Sequence, residues 1–115
     1  MPTTLYLILL TYVRPAEEVA AHLEEHRAYL RSSIAAGQLI VSGRRLDDGG
    51  GVILVRAASE DAALALVADD PFGQLGIATH QVIPFEALWN APAFAPFLAP
   101  FAEEESTPGG WDASG

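Results

Sequence analysis

The run Leu5-Tyr-Leu-Ile-Leu-Leu10 constrains the fold more than any other stretch of this chain. It is far shorter than the ~20 apolar residues of a membrane span. Its two alternating sets, Leu5/Leu7/Leu9 and Tyr6/Ile8/Leu10, are both apolar. A strand with one face in water alternates apolar with polar residues, whereas a strand apolar on both faces must be covered on both. A second run of this kind, Val52-Ile-Leu-Val55, makes the same demand. The chain has 115 residues, which suits a single domain. That leaves enough helix to cover one side of a sheet. The other side is expected to meet a second copy of the chain.

Between the two runs, residues 16–36 carry a helical stripe of Val19, Leu23, Leu30 and Ile34. His26 stands in the one place of that stripe with no apolar residue, three after Leu23 and four before Leu30. Its imidazole is expected to face the sheet. Burying an unpaired polar ring costs a few kcal/mol, so it needs a partner there. Pro15, Glu17 and Glu18 suit the helix start, and Gly37 its stop. Leu39 to Arg45 reads as a short strand, in which Gly43 marks a bulge or a close backbone approach. Asp47-Asp-Gly-Gly-Gly51 reads as a hairpin loop. It is no phosphate loop, because a strand follows and no Lys-Ser/Thr does.

After Val55, Ser59 is an N-cap with Glu60 and Asp61 in the first turn. This second helix is expected to turn Leu64, Val67 and Ala68 to one side. It ends before Asp70-Pro71, because proline disfavours the helical region in its predecessor. Phe72 to Gly76 is one short helical turn, and Ile77 to Phe85 the last strand. The order βαββαβ predicts an α+β, ferredoxin-like fold: a four-stranded antiparallel sheet with two helices on one face. Its first and third strands are central, and these are the two doubly apolar runs. Residues 1–87 form this domain. Residues 88–115 are expected to be an extended aromatic and proline-rich arm, with Trp89, Phe94, Phe97 and Phe101, and then an acidic, flexible tail.

Charge and composition exclude several roles. The net charge is −9, with six Arg and no Lys, which disfavours nucleic acid. There is no cysteine, hence no disulfide or thiolate chemistry, and the amino terminus lacks a basic leader. A cytoplasmic protein without membrane association is expected. His22 and His26 are spaced i, i+4 like helical metal ligands, with Asp70 as a conceivable third. No tight ligand motif accompanies them, so neither a metal nor another cofactor is expected. His80 is read as an exposed strand residue without a role.

The ordered set His26-x-x-Tyr29-Leu30, Gly37, Ser42-Gly43, Asp70-Pro71-Phe72 and Gly76 resembles the YciI-like (YCII-related) family over residues 4–87. The resemblance implies a dimeric α+β barrel of ferredoxin-like protomers. It also implies that His26 and Asp70 form a pair lining a pocket between helix and sheet. A related member removes chloride from hydroxylated chlorinated rings, with such a pair moving protons. Two departures stand out: Arg44 occupies a position where members often have Pro, and His22 lies where many carry Arg. Ser42, Gly43, Arg44 and Phe72, within or beside the shared motifs, are the expected substrate contacts.

The expectation is a small enzyme in which His26 and Asp70 serve general acid–base chemistry on a small, cyclic or aromatic substrate. The alternative is a non-catalytic, ligand-binding or structural homodimer joined through the sheet face. In it His26 is a packed core residue and Asp70 the cap of the turn starting at Pro71.

Overall fold

Both doubly apolar runs become central strands. A computed structural model describes residues 3–98; the acidic tail and Phe101 lie outside them. The elements are β1 (Thr3–Tyr12), α1 (Ala16–Ala21), α2 (Leu23–Ala35), β2 (Leu39–Arg44), β3 (Gly50–Arg56), α3 (Glu60–Ala68), α4 (Pro71–Gln74) and β4 (Ala78–Ala87). A 3-10 helix, Pro92–Leu98, follows. The sheet order is β2-β3-β1-β4, with every neighbouring pair antiparallel. This is the expected split βαβ arrangement.

Register assigns the faces, because directly opposed residues project to the same side. Tyr6 pairs with Val55, Ile8 with Ile53 and Val82, Leu10 with Gly51 and His80. Ser42 opposes Ile53 and Arg44 opposes Gly51, so both belong to this face. Tyr6, Ile8, Leu10, Ile53 and Val55 are buried here, together with Val19, Ala63, Leu66 and Phe72 from the helical side. The opposite face carries Leu7, Leu9, Val52 and Leu54 half-buried, with Val41, Ile83 and Phe85 exposed.

The hairpin between β2 and β3 packs close to β1. A Cβ on Gly50 would lie 1.9 Å from the Leu10 carbonyl oxygen, so only glycine fits. Tyr12 N–H donates to the Gly49 carbonyl at 2.8 Å, tying the loop to the end of β1.

Four local expectations need correction. The first helix breaks at His22, whose φ of −116° and ψ of 14° lie off the helical values. Its stripe ends inward on Ser33, while Ile34 is half exposed. In α3 the buried residues are Ala63 and Leu66, one position round from the expected face, and Leu64 points outward. The irregularity in β2 falls between Leu39 and Val41 rather than at Gly43.

Within the arm, read from the sequence as extended, Pro92–Leu98 winds into the 3-10 helix, with Pro96 inside. Thr3 Oγ1 donates to the Leu98 carbonyl at 2.9 Å, folding the segment back to the start of β1. Leu5, Phe85, Leu88 and Phe94 border a small apolar cavity there, while Trp89 is left almost fully exposed.

Candidate functional site

Asp70 occupies the junction between α3 and α4. Proline at the first position of α4 holds it in an extended conformation, φ −72° and ψ 121°, where its side chain can cap the turn. Oδ1 accepts the Phe72 N–H at 3.0 Å. The same oxygen lies 2.8 Å from His26 Nδ1, delivered by the inward face of α2. Oδ2 lies 2.8 Å from His80 Nε2, delivered by the helix-facing side of β4. Two histidines, 54 residues apart in sequence, therefore meet on one carboxylate that is 0 % exposed.

Burial pushes the Asp70 carboxyl up, but the hydrogen bonds from His26 and His80 outweigh it and bring it down to about 2. An ionised carboxylate only accepts hydrogen bonds. His26 therefore carries a proton on Nδ1, and His80 carries one on Nε2. In neutral His26 this leaves the lone pair on Nε2, at the ring edge away from Asp70.

Packing fixes the imidazole further. Phe72, fully buried, stacks on His26 with centroids 4.3 Å apart and planes 2° from parallel. Tyr12 meets Phe72 edge-on at 5.8 Å. Tyr29 Oη donates to the Leu66 carbonyl at 2.7 Å, and burial followed by the Asp70 charge raises its phenol above the ordinary value. Tyr29 thus serves as a neutral tie between α2 and α3. Gly73 leaves room for His80, since a Cβ there would come within 3.1 Å of the ring.

A cleft of about 660 Å³ opens between the α1–α2 segment and the β1–β2–β3 side of the sheet. That is within the range of small-molecule sites. His26, Ser42, Gly43 and Arg44 all line it, with Leu10, Leu23 and Ile53 among its apolar residues. Asp70 and Phe72 do not line it; they lie behind His26 as its hydrogen-bond partner and its stacking partner. His22 pairs outward with Glu25 at 2.6 Å. No metal-binding group of His, Cys, Asp or Glu occurs among the described residues.

His80 is the residue that reading the sequence missed. The expected exposed strand residue has a side chain only 7 % exposed and completes the site. The signal was available: His80 stands between Ala78 and Val82 in the inward set of β4, as His26 stands in its helical stripe.

The fold agrees with known structures. The 5-chloro-2-hydroxyhydroquinone dehydrochlorinase TftG from Burkholderia phenoliruptrix AC1100, solved in complex with 2,5-dihydroxybenzoquinone, superposes with a TM-score of 0.58. It is 25% identical in sequence, covering 77% of this chain and 96% of that one. SnoaB, a cofactor-independent oxygenase from Streptomyces nogalater, aligns at 15% identity over 80% of this chain and 99% of its own, with a TM-score of 0.47. The likeness to TftG places the fold in the ferredoxin-like, dimeric α+β barrel class. No curated protein matches the chain. No helix among the described residues is long and apolar enough to cross a membrane. The model of the YCII-related domain matches residues 4–86, the whole βαββαβ unit, and the chain belongs to that family.

Proposed function

We propose that this protein is a small enzyme that moves a proton on a small cyclic or aromatic substrate bound in the cleft, with His26 as acid–base residue. The observation that carries this reading is the fully buried Asp70 between two histidines, one of which lines the cleft. Asp70 sets the tautomer and orientation of His26 and stabilises its charged form after proton uptake. His80 donates to the second carboxylate oxygen, so neither oxygen of the buried carboxylate is left unpaired. Ser42, Gly43 and Arg44 supply polar contacts to the ligand from the sheet side. The likeness to a dehydrochlorinase that binds a hydroxylated quinone suggests a hydroxylated ring as the first substrate to test.

The test follows ring absorbance and chloride release with 5-chloro-2-hydroxyhydroquinone and a panel of hydroxylated rings. Turnover by the native protein is expected, with kcat lowered about 10²–10⁴-fold in His26→Gln while the fold is kept. Full turnover in His26→Gln refutes the assignment.

A second reading rests on one observation: Asp70 Oδ1 also caps α4 through Phe72 N–H, a purely structural duty. In that reading the protein is a binding or structural homodimer without catalysis. In both readings two copies pair through the apolar sheet face of Leu7, Leu9, Val52, Leu54 and Ile83.

A further inference from the structure

We infer that the cleft takes an anionic ligand, a carboxylate or an acidic enol on an apolar ring, gripped by Arg14, Arg27 and Arg44 beside His26. The inference rests on the reading of this cleft as the substrate site and adds the charge of what enters it. The protein is strongly acidic, with 15 acidic residues against six arginines. Within the cleft the balance reverses: Arg14, Arg27 and Arg44 line it, and Asp48 is its one carboxylate. They come from three separate segments, the turn after β1, α2 and the end of β2.

The pairing of the arginines follows the same division. Outside the cleft, Arg31 and Arg45 are engaged tightly, with Glu24 at 2.8 Å and Asp47 at 2.7 Å. Arg14 and Arg27 face their nearest carboxylates, Glu18 and Glu24, only at 3.9 Å. The Arg44 guanidinium has no hydrogen bond or ion pair among the described residues. The guanidiniums that border the cleft are thus the ones left available, and a planar fork suits carboxylate oxygens. Leu10, Leu23 and Ile53 offer the apolar surface for the ring.

Matched probes test this by NMR titration of the arginine Nε–H signals: benzoate against benzamide, and cyclohexanecarboxylate against cyclohexanecarboxamide. The carboxylates are expected to bind about tenfold or more tightly than the amides, the value of a charge-assisted pair. That preference should shrink in high salt and vanish in the triple variant Arg14→Gln/Arg27→Gln/Arg44→Gln, with amide binding kept. Equal affinity for acid and amide overturns the inference, as does a preference that survives the triple variant or failure of both carboxylates to bind. The acid–base reading falls separately: His26→Gln that still turns over substrate removes that role and leaves the anion preference intact.

Discussion

Replacing Asp70 by asparagine isolates the charge at the centre of the site. The amide keeps the shape, and its oxygen can stay where Oδ1 now accepts from His26 Nδ1 and Phe72 N–H. The amide nitrogen then faces His80 Nε2, which must give up its proton and shift to the other tautomer. What is lost is the ionised acceptor. Its carboxyl drops from an ordinary 3.8 to about 2 in the folded protein, which corresponds to roughly 2 kcal/mol of stability. Because the folded value is the lower one, that contribution is complete above pH ~4, declines as pH falls from there, and is gone below pH ~2. Urea unfolding of native protein and Asp70→Asn over this range is the assay. At neutral pH the variant should lose roughly 2 kcal/mol, a midpoint shift of about 1–2 M. The gap should close on acidification. Equal stability at neutral pH, or a gap that acid leaves unchanged, would refute the electrostatic account of the site.

Other outcomes follow from the same geometry. His80→Leu strands Asp70 Oδ2 in the interior and should cost about 1–3 kcal/mol in urea unfolding; a neutral result would mean that water replaces the imidazole. Gly50→Ala should be among the most damaging small substitutions, at about 3 kcal/mol or more, because its Cβ collides with the Leu10 carbonyl; thermal unfolding reads it. Ile83→Glu, at an exposed position on the apolar sheet face, should convert a dimer to a folded monomer in sedimentation; an unchanged mass would place the interface elsewhere.

Physical locality decided what could be read from the residues. Apolar residues in both alternating sets of Leu5–Leu10 and Val52–Val55 mark interior strands of a sheet, and these two are the central ones. His26 could be turned inward from the spacing of Val19, Leu23 and Leu30 because helical period is a local property. Proline after Asp70 likewise announced a cap, and the resemblance supplied its pairing with His26. The face of α3 was misplaced by one position because its small, mostly apolar residues leave the inward side ambiguous until the sheet chooses Ala63 and Leu66.

Sequence alone therefore determined the βαββαβ order, the two central strands and one inward histidine. Only the tertiary structure decided that His80 closes the second side of Asp70, that Phe72 supports His26 from behind, and that Arg14, Arg27 and Arg44 border a single cleft. These are meetings between residues far apart in the chain. Local periodicity can give each side chain a direction, but only packing of α2, α4 and β4 against one another brings the partners into reach.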